Sequence, residues 1–278
     1  MTVARRAGVL GHPISHSLSP VLHRAAYAAL GLDWEYSAHD VERDTLGAFI
    51  AELGDDWIGL SLTMPLKVEV LRHLDFVEPL ARRIGAVNTV LIQAVGDGRQ
   101  LVGANTDVYG VTQALREGGV LEVTDAVILG GGATATSAMA ALAEAGCLAP
   151  VVAVRDRSRA GGLMRAASAL GIEPSFVTLD AIGPFVERAR VVVSTIPAEA
   201  GAAVGAALGS VSKGAVLLDA IYSPAVTPLM AEWERRGGFC VGGARMLLHQ
   251  AGEQVRLMTG QPAPIGEMDR ALVSQLSH

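Results

Sequence analysis

An α/β fold of two domains, the second a doubly wound parallel sheet, is predicted by three observations. The chain has 278 residues, about two domains at ~150 residues each, and a chain of that size buries roughly 75% of its unfolded surface without a disulfide or metal staple. Short apolar runs alternate with stretches of helical periodicity, and in the middle of the chain the runs are apolar on both faces, as strands covered by helices on each side must be. Half of the residues are hydrophobic but only 4% are aromatic. Ala, Val, Leu and Gly therefore fill the core and let helices lie close on a sheet. The same composition excludes disorder.

In chain order, residues 7–10 read as a strand, 11–20 as a turn-rich stretch, and 21–30 as a helix with Ser19 as candidate N-cap and Pro20 at its first position. Strands at 34–38 and 58–62 flank a helix at 45–53, and a further helix covers 66–74. Residues 86–95 are strand-like, and 101–104 begin their hairpin partner. A helix over 108–118 links this first domain, 1–106, to the second, 107–244. Buried-strand runs at 126–129, 151–154, 191–194 and 215–218, with a short last strand at 239–241, alternate with helices and imply parallel βαβ units. The remainder, 245–278, is helical with a break at 260–266, and is expected to pack back on the first domain.

The formal net charge is −6 and no basic run is present, which excludes a nucleic-acid groove. Lys67 and Lys213 are the only lysines among 22 basic residues. Cys147 and Cys240 stand far apart with no Cys or His partner at ligand spacing, as two small residues in a reducing compartment do. No apolar run reaches the ~18 residues of a spanning helix, and the N-terminus carries no long apolar stretch. The chain is expected to be cytoplasmic, with no membrane partner.

Gly130-Gly131-Gly132-Ala133-Thr134-Ala135 fits G-x-G-x-x-A between a buried strand and a helix. Gly130 permits the tight turn, Gly132 lets backbone approach a pyrophosphate, and small Ala135 lets helix and strand pack. With Ala133, these residues lead into a helix read over 136–145, whose N-terminus would face the phosphates, so the second domain reads as a Rossmann-type dinucleotide-binding domain. At the end of the next strand an acidic residue favours NAD and an arginine favours NADP. The sequence there is Arg155-Asp156-Arg157-Ser158-Arg159. Guanidinium groups match phosphate oxygens bidentately, so Arg155, Arg157 and Arg159 predict NADP. Asp156 would favour NAD if it took the strand-end position, and a solvated charged turn is the alternative to both.

Two charged residues end apolar runs. Lys67 follows Leu60-Ser61-Leu62-Thr63-Met64-Pro65-Leu66, and Asp107 closes Gly103-Ala104-Asn105-Thr106. Brought together beside a nicotinamide, an ammonium and a carboxylate could move the proton that accompanies hydride transfer. Alternatively, Lys67 is a surface lysine at a helix start, an unfavourable place for a cation, and Asp107 caps the linker helix. The serine-rich turn from Gly11 to Pro20 suits a substrate carboxylate or is simply a capped turn. His12 and His16 lack acidic partners at metal spacing, so no metal site is read.

Together these segments resemble the shikimate dehydrogenase family over nearly the whole chain. G-x-P-I-x-H-S-x-S-P is intact from Gly11 to Pro20, and N-V-T-x-P-x-K appears from Ser61 to Lys67 with Ser61 in place of Asn. G-A-V-N-T runs from Gly85 to Thr89 and G-x-N-T-D-x-x-G from Gly103 to Gly110. Asp219 to Tyr222, Thr227-Pro228-Leu229, and Gly243 with Met246-Leu247 and Gln250 match later motifs. The resemblance implies an N-terminal substrate domain and an NADP domain separated by a cleft, and NADP-dependent interconversion of 3-dehydroshikimate and shikimate by a monomer or homodimer. It implies that Ser17 and Ser19 hold the substrate carboxylate, that Thr63, Asn88, Asp107 and Gln250 bind ring hydroxyls, and that Tyr222 closes the site. Lys67 would be the general acid/base, with Asp107 orienting it, and Gly243 would lie by the cofactor. The chain departs from the pattern at Ala133 and Thr136, where a Gly and an Arg are common, and at Arg245, where a Gly is. An NAD-preferring quinate/shikimate dehydrogenase and a non-catalytic nucleotide-binding relative are the competing readings.

Overall fold

The computed structural model describes residues 5–96 and 98–277, with the side chain of Arg159 outside the described set. The chain divides into two compact units, Met1–Thr106 with Gln250–His278, and Asp107–His249.

The first unit opens with β1 (Arg5–Gly11), α1 (Ser19–Ala29), β2 (Trp34–Asp40), α2 (Leu46–Ala51), β3 (Trp57–Leu62) and α3 (Leu66–Glu69). It continues with β4 (Phe76–Val77), α4 (Pro79–Ile84), β5 (Thr89–Val95) and β6 (Gly98–Ala104). The sheet order is β2-β1-β3-β5-β6-β4. All strands run parallel except β5, which is antiparallel to both neighbours. β1 is buried over its last five residues because it lies between β2 and β3. The core on one side gathers Leu10, Leu46, Leu60, Leu66, Val70 and Val90. On the other, Tyr27 and Tyr36 pack with Ala7 and Val9.

Several local expectations need correction. Helix α1 begins at Ser19 itself, with Leu18 at the cap position and no side-chain cap bond. The Ser19 N–H instead donates to Ser17 Oγ at 3.4 Å. The helix expected over 66–74 is one turn of α3 followed by a 3-10 turn at Val70–His73. The strand expected from 86 starts at Thr89, since Val87 and Asn88 bond to Lys67 and Ala104 in the approach to the sheet.

The second unit runs α5 (Asp107–Glu117), β7 (Ala126–Leu129), α6 (Ala133–Glu144), β8 (Val151–Val154), α7 (Gly161–Leu170), β9 (Ser175–Thr178), α8 (Gly183–Val186) and β10 (Val191–Ser194). Then follow α9 (Ala198–Ala207), β11 (Val216–Asp219), α10 (Pro228–Arg235) and β12 (Phe239–Gly242). Every pairing is parallel and the order is β12-β11-β10-β7-β8-β9. This is the doubly wound Rossmann arrangement, whose strand order reverses between β7 and β10. β7, β10 and β11 are buried at every residue, as strands covered on both faces must be.

Helix α11 (Gly243–Thr259) begins in the second unit and ends in the first. The return to the first unit falls at Gln250, later than the expected residue 245. Arg245 and His249 are still tied to Glu117 of α5, by a bidentate pair at 2.6 and 2.7 Å and a contact at 2.7 Å. Helix α12 (Ile265–Leu276) then packs on α1. Among the described residues, no helix is long and apolar enough to cross a membrane.

Candidate functional site

In the first unit, polar residues collect at one edge of the sheet, where the parallel strands end and β5 begins. Gly11 closes β1, and a Cβ there would lie 2.3 Å from Thr63 Cγ2 and 2.9 Å from the Met64 carbonyl oxygen. Only glycine lets the loops after β1 and β3 meet this closely, and they do so through His12 N–H to Met64 O at 2.9 Å and Thr63 N–H to Leu10 O at 2.9 Å. The first loop carries Ser17 and Ser19. Asp40, at the end of β2, ties it down by meeting His12 Nδ1 at 2.6 Å and accepting the Ile14 N–H at 3.4 Å. This contact raises the His12 pKa and lowers that of Asp40.

Lys67 lies on α3, directly after the second loop, and its carbonyl accepts the Val87 N–H at 2.8 Å. That bond draws Asn88 beside α3, while Asn88 O accepts the Leu62 N–H at 2.8 Å. Asn88 is fully enclosed by protein. Its Oδ1 accepts from Thr106 N–H at 2.7 Å and Thr89 Oγ1 at 2.9 Å. Its Nδ2 donates to Thr106 Oγ1 at 2.9 Å and Gln250 Oε1 at 3.2 Å. Thus Ser17, Ser19, Thr63, Lys67, Asn88 and Gln250 belong to one unit and five of them to one sheet edge, with Gln250 bonded to it from α11. Carboxyl ends of parallel strands are where α/β sheets bind ligands, because helix N-termini and loops converge there.

In the second unit a cavity of about 650 Å³ lies at the reversal point of the strand order. It is lined by Gly130 and Gly132 after β7, by Arg155 and Asp156 after β8, and by Thr195 and Pro197 after β10. Gly130 has φ +116°, and a Cβ on it would lie 2.3 Å from Thr195 Oγ1. A Cβ on Gly132 would meet no protein atom within 4 Å, so its removal leaves room for a ligand. Gly132 caps α6, and Ala133 is the first residue of that helix. The helix starts earlier than the periodicity predicts, directly at the glycines. Ala135 is fully buried. A cavity at the reversal point, glycine backbone, a helix N-terminus and a strand-end arginine are the features that a dinucleotide with a 2′-phosphate needs. Asp156 accepts Ser158 N–H at 2.9 Å and Ser158 Oγ at 2.7 Å, capping the short turn that follows. Arg157 stands exposed in that turn, and the Arg159 side chain lies outside the described residues.

Asp107 is the first residue of α5 and is buried, 3% exposed. Tyr222 is half-buried in the loop after β11, and burial raises its pKa. Asp219 anchors that loop by accepting Ile221 N–H at 3.2 Å and Thr227 Oγ1 at 2.7 Å. A Cβ on Gly243 would lie 2.4 Å from Ala220 O, so this glycine is required by the Tyr222 loop. Among the described residues, no group of three His, Cys, Asp or Glu is placed to hold a metal ion.

The model of the shikimate dehydrogenase substrate binding domain matches residues 9–90. That of the shikimate 5′-dehydrogenase C-terminal domain matches residues 243–273. The shikimate dehydrogenase (NADP(+)) of Citrifermentans bemidjiense is 39% identical over 282 residues, covering 98% of this chain and 95% of the relative. The enzyme of the same name from Methanothermobacter thermautotrophicus is 35% identical over 273 residues, covering 95% and 94%. The chain belongs to the shikimate dehydrogenase family.

Among solved structures of the family, Mycobacterium tuberculosis shikimate dehydrogenase superposes with a TM-score of 0.87 at 39% identity, covering 97% of this chain and 99% of that one. The Thermus thermophilus enzyme in complex with NADP(H) and shikimate gives 0.80 at 34% identity, covering 97% and 99%. Against the family pattern, two departures gain a physical account. Ser61 donates to Gln254 Oε1 at 2.8 Å, and Arg245 is committed to Glu117. Sequence reasoning missed Thr195, Thr106, Tyr36 and Gln254. A hydroxyl after the β10 run could have marked Thr195, and the motif from Gly103 to Gly110 already contained Thr106; nothing local marked Tyr36 or Gln254.

Proposed function

We propose that this chain is an NADP-dependent oxidoreductase that interconverts 3-dehydroshikimate and shikimate, with its first unit binding the substrate and its second the nucleotide. The reading is carried by one observation above all. In a chain of this family, the loops after β1 and β3 and the entry to β5 are stitched together so that Ser17, Thr63, Lys67 and Asn88 share one sheet edge. Ser17 and Ser19 hold the substrate carboxylate, and Thr63, Asn88 and Gln250 bind ring hydroxyls. Tyr222 closes over the carboxylate. Gly130, Gly132, Ala133 and Ala135 form the pyrophosphate turn, Arg155 and Arg157 meet the 2′-phosphate, Arg159 is assigned there from sequence, and Gly243 supports the Tyr222 loop.

When bound, NADPH supplies the hydride that reduces the C3 carbonyl of 3-dehydroshikimate. Lys67 gives the accompanying proton to the C3 oxygen in that direction and takes it back in the reverse, general acid–base catalysis by one group. Asp107 orients the ammonium and the substrate. Arg155 and Asp156 both line the cavity, and preference for NADP is favoured because Asp156 accepts both Ser158 bonds that cap its own turn.

Initial rates with shikimate and with quinate, each with NADP⁺ and with NAD⁺, test the proposal. The expected result is turnover of shikimate with NADP⁺ well above the other three combinations. Preferential oxidation of quinate with NAD⁺ would replace it with the quinate/shikimate reading. Absence of turnover with all four, with NADPH still bound, would replace it with the regulatory reading.

A further inference from the structure

Asn88, whose amide the proposed function sets against a ring hydroxyl, is held from behind by a buried run of hydrogen bonds. The run starts on β2, outside every motif noted in the sequence. Tyr36 Oη donates to Ser61 Oγ at 2.6 Å, and Ser61 Oγ donates to Gln254 Oε1 at 2.8 Å. Gln254 Nε2 donates to Thr89 Oγ1 at 3.0 Å and Asn88 O at 3.2 Å. Thr89 Oγ1 then donates to Asn88 Oδ1 at 2.9 Å. His23 Nε2 lies 3.2 Å from the same Gln254 oxygen, and its ring stacks on Tyr36 with centroids 3.9 Å apart. Tyr36, Ser61, Thr89, Asn88 and Gln254 are each at most 3% exposed, so water cannot replace a lost partner.

The direction of the run matters more than its length. A serine or threonine hydroxyl has one proton, and a glutamine amide has one accepting and one donating end. Ser61 brings a donor to Gln254 Oε1, and the Asn88 carbonyl accepts from its NH₂ end, so that end faces Thr89. Thr89 must then give its proton to Asn88 Oδ1, and Asn88 presents Nδ2 to Gln250. Reversing any member would set donor against donor inside a dry core, where an unmade hydrogen bond costs most.

Resting on the proposed substrate reading, we propose that Ser61 and Tyr36 are positioning residues that, acting through Gln254 and Thr89, hold the Asn88 amide in place in the orientation that the Thr106 N–H also fixes by donating to its Oδ1. In this chain Ser61, at a position where the family usually has Asn, is the relay that joins Tyr36 to the substrate wall.

The test is the Michaelis constant for shikimate at saturating NADP⁺, measured for Ser61→Ala, Asn88→Ala, the double variant and Tyr36→Phe. Losing one buried hydrogen bond corresponds to about 5-fold. Ser61→Ala is expected to raise the constant about 5- to 10-fold, and Tyr36→Phe, which keeps the ring over His23, about 5-fold. NADPH affinity should stay at the wild-type value in both. In the Asn88→Ala background the Ser61→Ala effect should shrink to under about 2-fold, because groups that act as one unit are not additive. Wild-type constants in Ser61→Ala and Tyr36→Phe, or a Ser61→Ala effect undiminished beside Asn88→Ala, would overturn the proposal. If Ser61→Ala does not fold, Tyr36→Phe decides, measured alone and beside Asn88→Ala, because Tyr36 also hydrogen-bonds Ser19 and only an effect that shrinks in the Asn88→Ala background runs through the relay. A wild-type protein that does not turn over shikimate would sink the functional reading instead, and is read from the first control.

Discussion

Adding one methyl group at Gly130 tests the nucleotide site with little chemical ambiguity. In Gly130→Ala the new Cβ must share a φ of +116°, which L-residues rarely adopt, and would start 2.3 Å from Thr195 Oγ1. The backbone term is roughly 1–2 kcal/mol. Relief of the clash pushes the Thr195 hydroxyl off Leu129 O, which it now meets at 2.9 Å, for a further ~1 kcal/mol. The sum, about 2–3 kcal/mol, translates to a fall in melting temperature of about 4–12 °C for a unit of this size. Because the turn carries the start of α6, NADPH affinity should fall with it. Thermal melts and fluorescence titration of NADPH read the two effects. Thr195→Ala removes the atom in the way, so the double variant should melt higher than the two single losses together predict. A Gly130→Ala protein with wild-type melting and NADPH affinity, or strict additivity with Thr195→Ala, would refute the steric argument.

Other consequences are read by simpler assays. Lys67→Ala should lower kcat about 10²- to 10⁴-fold, the usual scale of general acid–base help, with NADPH binding retained; near-normal turnover removes Lys67 from its role. Arg155→Ala should raise the Michaelis constant for NADP⁺ about 10-fold, the worth of one charge-assisted contact to a phosphate, and leave that for NAD⁺ unchanged. Equal changes for both nucleotides would mean that the arginine is only a solvated turn residue. The pKa of Glu117 is held down to about 2 by hydrogen bonds from Arg245 and His249. A depressed carboxylate stabilises the fold above its unfolded pKa of 4.5 and loses that contribution as pH falls toward about 2. With the carboxylate side chain 35% exposed, solvent screening leaves ~1 kcal/mol or less. Glu117→Gln should therefore melt below wild type at pH 7, and the gap should narrow steadily as the pH of the melt is lowered below about 4. A gap independent of pH would show that the ion pair is not its source.

The doubly wound sheet was legible because β7, β10 and β11 are covered on both faces and so are written as unbroken apolar runs. The short pieces were not. β4 has two residues and α8 has four, too few for any periodicity to register, and β9 has no buried residue, its half-buried pair lying between two exposed ends. Motifs drew attention to Lys67, Asn88 and Gly130 because each stands in a short run of distinctive residue types. The groups that hold Asn88 were invisible for the opposite reason. Ser61 and Gln254 are 193 positions apart, and a glutamine on the buried stripe of a helix carries no local sign of its partner. Arg245 was marked only as a departure from a common Gly, because its partner, Glu117, lies 128 residues earlier.

The two units solve recognition in different materials, and this decides where each tolerates change. A phosphate is recognised largely by charge and by N–H groups that every residue possesses, so the second unit offers backbone at Gly130 and Gly132 and needs chiefly the absence of side chains. A small hydroxylated ring differs from its analogues only in which positions donate and accept, and a site discriminates among them by leaving its own buried groups unpaired when the pattern is wrong. The first unit accordingly spends side chains: Asn88, Thr89, Thr106, Gln250 and Gln254 bond to one another inside the core. Added volume is therefore the damaging change around β7, and deletion of single polar atoms with the shape kept is the damaging change around β3 and β5.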